Sequence, residues 1–180
     1  VGENAINKMA RVIRELESFE FPVKSHEVMG SPTLNVGTIR GGLNTNSVPD
    51  RATITLDTRT VPGIDHVHLC RSLECLLADH GATVRRIVDT PSLYTPPEDE
   101  WVQEVFEVCT PFLEGRPTPK TITFSTDGAD LKRGYGGPPA VILGPGEAKL
   151  AHQTDEWCSL ARIEHSVDVF ATLMRRWCGV

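Results

Sequence analysis

The 180-residue sequence predicts an α/β chain in two parts: a ferredoxin-like βαββαβ unit lacking its first strand, followed by part of a second, α/β layered unit. Three observations predict it. Residues 3–89 read α-β-β-α-β by periodicity, and one strand in front would complete the split βαβ arrangement, with helices on one face of an antiparallel sheet. Residues 90–97 hold three prolines and read as a linker. Beyond them the order becomes helix, short strand, helical turn, strand and helix, which suits a mostly parallel sheet. The boundary therefore falls between residues 1–92 and 93–180.

Each element has a local reason. Over residues 3–18, Ile6, Met9, Ala10, Ile13 and Leu16 recur at helical spacing, and Pro22 ends the helix. Leu34 and Val36 alternate with polar or small residues between Thr33 and Ile39, the pattern of a half-buried strand that Gly41-Gly42 breaks. A second strand runs from Ala52 to Arg59, with Ala52, Ile54, Leu56 and Thr58 on one face and Thr53, Thr55, Asp57 and Arg59 on the other. Asp65 is a good N-cap for a helix that runs to about residue 80, and Gly81 suits its C′ position. Thr83 to Asp89 predicts a third strand.

In the second part, Glu98, Asp99 and Glu100 place negative charge at a helix N-terminus. Trp101, Val102, Val105, Phe106, Cys109 and Phe112 supply that helix's apolar face. Thr121–Phe124 and Ala140–Leu143 predict short strands, and residues 126–133 a helical turn. The last helix, Leu160 to Trp177, carries Leu160, Ile163, Val167, Phe170, Met174 and Trp177 on one stripe. Two strands are too few for a stable sheet, so this part needs strands from elsewhere. The chain also opens inside what reads as the first turn of a helix, and both features predict a piece of something longer.

Composition narrows the function. Net charge is −6 and no basic stripe occurs, which argues against a nucleic-acid partner. The apolar runs are far too short to span a bilayer, which argues against a membrane partner. The five cysteines, Cys70, Cys75, Cys109, Cys158 and Cys178, are scattered and form no C-x-x-C pair. They read as free thiols in a reducing, cytoplasmic setting.

Three constellations could carry chemistry. The run Ala140–Leu143 leads into Gly144-Pro145-Gly146, then to His152, with Asp155 and Glu156 three and four residues further on. A loop at the carboxyl end of a strand is where α/β sheets collect ligands. A lone loop histidine is more often a bystander than a metal ligand, and a catalytic zinc site needs about three protein ligands. No H-x-D or H-E-x-x-H supplies the rest, His66 and His68 read as solvated, and His26, His80 and His165 lack companions in sequence. Second, Asn46 in an inter-strand loop and Arg59 at a strand end could bind a carboxylate, the arginine by a bidentate fork. The residues alone favour an Asp57–Arg59 surface ion pair instead, with Asn46 as a turn residue. Third, in Phe124-Ser-Thr-Asp-Gly-Ala-Asp130 the hydroxyls of Ser125 and Thr126 could meet an anionic group at a helix start, or simply cap that helix. No G-x-S-x-G elbow and no G-x-G-x-x-G nucleotide motif is present.

Three segments, in order and spacing, resemble the acetylornithine deacetylase / succinyl-diaminopimelate desuccinylase group of di-zinc amidohydrolases and metallopeptidases. They are Gly2-Glu-Asn-Ala-Ile6; Asn46-Ser-Val-Pro49 with Leu56-Asp-Thr-Arg59 and Pro62-Gly63; and Ser125-Thr-Asp-Gly128 with Pro139, Ile142-Leu-Gly-Pro-Gly146 and Ala151-His-Gln-Thr-Asp-Glu-Trp157. The resemblance covers essentially the whole chain. It implies that residues 1–92 are the lid, or dimerisation, domain of such an enzyme and 93–180 the C-terminal part of its catalytic domain. It implies hydrolysis of an N-acyl amino acid or a peptide amide by a zinc-bound water, with two zinc ions per active site and cobalt able to substitute. His152 would be the terminal metal ligand. Asn46 and Arg59 would bind the substrate's carboxylate or acyl oxygen, and in this family such residues can reach the partner subunit's active site. Ser125, Thr126, Gly144 and Gly146 would line the substrate pocket, and the family's pocket aspartate aligns with either Asp127 or Asp130. The remaining metal ligands and the general-base glutamate lie in a segment this sequence does not contain, so no catalytic residue is assigned and this chain alone is expected to be inactive. The Ile142–Gly146 and Ala151–Glu156 forms lean towards the acetylornithine deacetylase-like side. The alternative expectation is a non-catalytic dimerisation or ligand-binding module derived from that family, acting as a homodimer through the lid.

Overall fold

The computed structural model describes residues 2–23, 25–151 and 153–180. The chain divides into two compact units, Val1–Ser92 and Leu93–Val180. In the first unit, helix α1 (Ala5–Glu17) starts where the Asn4 side chain accepts the backbone N–H groups of Ile6 and Asn7, at 2.9 and 3.1 Å. This satisfies two donors that have no partner inside the helix. Val12 and Leu16 are its buried residues, whereas Ala10, expected on the apolar stripe, is exposed. Leu16 and Met9 of the expected stripe do pack in the core, and Val12 joins them there.

Strands β1 (Thr33–Gly41) and β2 (Ala52–Arg59) pair antiparallel from Thr33↔Arg59 to Gly41↔Ala52. Burial along β2 alternates residue by residue as its sequence predicts. In β1 the register slips between Val36 and Thr38, leaving Gly37 as an extra residue. This bulge changes the parity of the strand. Leu34 and Val36 lie opposite Thr58 and Leu56 before it, and Ile39 and Gly41 lie opposite Ile54 and Ala52 after it. Ile39 and Gly41 thereby face the same side as Leu34 and Val36, although Ile39 is 55% exposed, and β1 ends at Gly41, within the Gly41-Gly42 pair expected to break it. A Cβ on Gly41 would lie 3.1 Å from both Ile6 Cγ1 and Ala52 Cβ, so a side chain there would have to push α1 or β2 back by a few tenths of an ångström.

Helix α2 (His66–Leu77) buries Leu69, Leu73 and Leu77 and ends in a 3-10 turn, Ala78–His80, closed by Gly81 at φ 62°. Val12, Leu16, Leu73 and Leu77 form the core of this unit, with Leu34, Val36, Ile54, Leu56 and Val84 packed against it. Helices on one face of an antiparallel pair, polar side chains on the other, is the layering expected of an α+β unit. The third strand expected at 83–89 does not form. An extended segment becomes a strand only through a ladder, and this one has no ladder partner among the described residues. Ala82 and Val84 still reach the core, while Ile87 and Val88 are exposed.

The second unit holds α3 (Glu100–Cys109), α4 (Gly128–Gly134) and α5 (Leu160–Cys178). The strands expected at 121–124 and 140–143 form no ladder among the described residues, for the same reason. The backbone of Ala140 is held instead by one side chain: its N–H donates to Thr95 Oγ1, and the Thr95 hydroxyl donates to its carbonyl, each at 2.9 Å. Val105, Val108, Cys109, Val169 and Leu173 form the core, with Trp101, Val141 and Leu143 against it. This corrects the expected face of α5. Val169 and Leu173 make the contact with α3, while Leu160, Val167, Met174 and Trp177 are 59–78% exposed. Part of that outer stripe joins Trp101, Val141 and Leu143 in lining an apolar groove of about 260 Å³. No helix among the described residues is long and apolar enough to cross a membrane.

Candidate functional site

Two of the candidate residues stand on the β1–β2 hairpin. Asn46 is exposed in the loop between the strands, a loop pinned to α1 where the Ala5 N–H donates to the Pro49 carbonyl at 2.9 Å. Arg59 is the last ladder residue of β2, opposite Thr33. Asn46 follows the β1 end of the hairpin and Arg59 closes the other, roughly 23 Å along a strand rising 3.3 Å per residue. The hairpin therefore does not bring the two together on one small carboxylate. Arg59 Nε donates to Asp57 Oδ2 at 2.8 Å, with both side chains about half exposed. The surface ion pair favoured by the residues alone is present, and such a pair holds an arginine only weakly.

The other candidates lie in the second unit. Ser125 and Thr126 precede α4, whose N-cap is Asp127 and receives no side-chain cap bond. Thr126 packs closely: a Cβ on Gly128 would lie 3.2 Å from both Thr126 Oγ1 and Leu93 Cδ2. Asp130 pairs with Arg133 at 2.6 Å on the surface of α4. Gly144 and Gly146 are exposed, and a Cβ on either would meet nothing within 4 Å. Their loop is tied to α5 by a hydrogen-bonded ion pair between Arg162 and Glu147. That guanidinium holds the Glu147 carboxyl below its ordinary range, by hydrogen bond first and by charge second. Asp155 stands at φ 63°, a left-handed conformation that aspartate tolerates better than most residues. His152, the expected metal ligand, lies outside the described residues.

Among the described residues, no three His, Cys, Asp or Glu side chains come together to hold a metal ion. The donors described here do not by themselves fit a zinc site. Cys109, the buried thiol, is pushed up by desolvation, which argues against a thiolate nucleophile.

Several histidines have partners that the sequence did not reveal. His66, read as solvated, has Nδ1 2.6 Å from Asp89 Oδ1 and Nε2 3.0 Å from Thr60 Oγ1. His80 Nε2 lies 2.9 Å from Glu15 Oε1. His26 Nδ1 accepts the N–H groups of Val28 and Met29, both at 3.2 Å. The one available signal was local: Asp65 caps α2 and so places His66 at its first position, beside the turn after β2. Asp89 comes from 23 residues away.

Comparison with known proteins follows these two units. Residues 1–85 match the peptidase dimerisation domain of the M20 group. An acetylornithine deacetylase of Vibrio vulnificus is 28% identical over 190 aligned residues, covering 99% of this chain and 48% of the relative. Those of Vibrio atlanticus and Myxococcus xanthus are 29% and 24% identical with the same coverage. The chain thus spans about half the length of the relatives it matches. In structure, it is similar to an M20 family metallo-carboxypeptidase from Sulfolobus solfataricus, with a TM-score of 0.51, 17% identity, and coverage of 96% of this chain and 48% of that one. The domain match at one end and the deacetylases aligned along nearly all of it make the chain similar to members of the M20 group, with a match to that group's peptidase dimerisation domain over residues 1–85.

Proposed function

We propose that the chain is the lid and the closing part of the catalytic domain of a zinc-dependent amidohydrolase acting on an N-acyl amino acid. The observation that carries this reading is the alignment of acetylornithine deacetylases along 99% of the chain but 48% of their own length. In this reading the first unit is the dimerisation lid, of ferredoxin-like type once a further strand joins it, and the second unit closes the active site. Arg59 offers its guanidinium fork to a substrate carboxylate, exchanging the weak bond to Asp57 for a bidentate one. Asn46, at the opposite end of the hairpin, contacts a different part of the ligand or the other copy's site. Gly144 and Gly146 leave room for a ligand to approach the backbone, and Ser125 and Thr126 add hydroxyl donors. His152 supplies one metal ligand. The described residues do not complete a metal centre, so no chemical step is assigned to them.

The test is hydrolysis of N-acetyl-L-ornithine and related N-acyl amino acids by the full-length protein supplied with zinc or cobalt. Turnover by the full-length protein and none by the 180-residue chain is the expected result. No hydrolysis of any N-acyl amino acid by the full-length protein would refute the enzymatic reading. The dimerisation domain also supports a second reading, a non-catalytic dimerisation module. A strictly monomeric chain in sedimentation equilibrium at high concentration would remove it.

A further inference from the structure

Thr60, His66 and Asp89 come from three segments: the residue after β2, the first residue of α2, and the extended stretch that follows Val84. His66 Nδ1 lies 2.6 Å from Asp89 Oδ1, and His66 Nε2 lies 3.0 Å from Thr60 Oγ1. The second oxygen of Asp89 is 3.3 Å from Arg86 Nη1. A carboxylate only accepts, so Nδ1 carries the proton and donates to Asp89. In the neutral ring Nε2 then accepts from the Thr60 hydroxyl, and both ring nitrogens are satisfied. The His66 and Asp89 side chains are 21% and 37% exposed, against 49% and 52% for Arg59 and Asp57, so this pair is the better sheltered of the two.

The position of this network relates it to Arg59, the neighbour of Thr60. Arg59 is the terminal residue of a two-stranded ladder, where fraying is expected. Immediately after it the chain turns through Val61, which is buried, and the Pro62-Gly63 turn before entering α2. The Thr60–His66 bond closes that turn, six positions apart in sequence, and Asp89 fixes the imidazole that closes it. The network thus anchors the chain just past the end of β2 through the Thr60 side chain.

We infer that Thr60, His66 and Asp89 form a clasp that positions Arg59 for its ligand; they are positioning residues and do not themselves touch substrate. This inference rests on the proposed substrate-binding role of Arg59.

The experiment has two arms. In the 180-residue chain, NMR follows exchange of the Arg59 Nε proton and the tautomer of His66. Thr60→Val is nearly isosteric and removes only the hydroxyl, while Thr60→Ser restores it. In Thr60→Val and His66→Ala the Arg59 Nε proton exchanges about tenfold faster, the scale of one lost hydrogen bond to a charged network, and Thr60→Ser returns it to the parent rate. Unchanged Arg59 exchange in both variants overturns the inference. In the full-length protein, Thr60→Val raises KM for the N-acyl amino acid about tenfold with kcat within about twofold, since ground-state and transition-state binding are lost together. A fall in kcat and in thermal midpoint with KM unmoved marks a merely structural role and overturns the inference, leaving the enzymatic reading standing. Absence of any turnover defeats the enzymatic reading and with it the clasp's role in binding; the Arg59 proton still reports whether the clasp itself exists.

Discussion

Trp101 of α3 and Trp177 of α5 meet edge to face, with ring centroids 4.8 Å apart and planes at 71°. Both line the apolar groove, and Trp177 is 59% exposed. The pair joins the two helices from the outer side, while Val169 and Leu173 join them from within. Leu173→Ala is therefore expected to cost about 2–4 kcal/mol, whereas Met174→Ala, one position along and 63% exposed, costs less than about 1 kcal/mol. Urea denaturation of the two variants checks the order, and equal losses would show that the outer stripe is covered in solution.

Gly41 and the loop glycines separate packing from ligand approach. An added Cβ at Gly41 meets Ile6 and Ala52 at 3.1 Å, so Gly41→Ala should destabilise the first unit by about 1–3 kcal/mol. Gly144→Ala and Gly146→Ala meet nothing and should stay within about 0.5 kcal/mol of the parent chain. In the full-length protein the same two substitutions should raise KM, if a ligand packs against that backbone. Thermal melts and steady-state kinetics on the same preparations decide both points.

The Glu147–Arg162 pair gives stability a pH dependence of known sign. The folded carboxyl sits below its ordinary value of 4.5, so the pair's contribution is fully present above that value. It is lost as pH falls through the lowered folded value. The stability difference between the parent chain and Glu147→Gln should be constant near neutral pH and shrink in the acid range. Denaturation series at stepped pH measure it, and a difference that grows on acidification would exclude the pair as its source.

Thiol reactivity should follow burial. Cys75, Cys158 and Cys178 are exposed, while Cys109 is buried with its thiol pushed up. A disulfide-exchange reagent should modify the three exposed thiols quickly and Cys109 only on unfolding. Peptide mapping by mass spectrometry after partial labelling gives the order.

Metal binding by the 180-residue chain should be weak and substoichiometric, because the described residues assemble no group of three donors. Zinc titration followed by calorimetry checks this. Tight one-to-one binding would mean that His152 and its sequence neighbours build a site unaided.

Much of the local structure was legible in the residues. The helix cap at Asp65, the acidic start of α3, the strand β2 and its alternating faces, and the C′ glycine at 81 are short-range features, set by one side chain and the two or three backbone groups beside it, whereas the Asn4 cap of α1 was not read, because the helix was expected to begin before it. The motif residues around Asn46, Arg59, Gly144 and His152 were legible as a family pattern. Three strands were not correctly read, because alternation and apolar runs report only that a segment can pair, and 83–89, 121–124 and 140–143 have no ladder partner among the described residues. The bulge at Gly37 was also hidden: it needs the opposite strand to define it.

The sequence by itself determined which segments are helical, where the chain divides in composition, and to which enzyme group its motifs are similar, since each rests on neighbours within a few residues. The tertiary structure alone decided which face of α5 is buried, that Asn46 and Arg59 stand at opposite ends of one hairpin, and that His66 meets both Thr60 and Asp89. Those outcomes depend on groups far apart in the chain. A periodic stripe names a surface that can be covered, and only the packing of the other elements determines which part of it is.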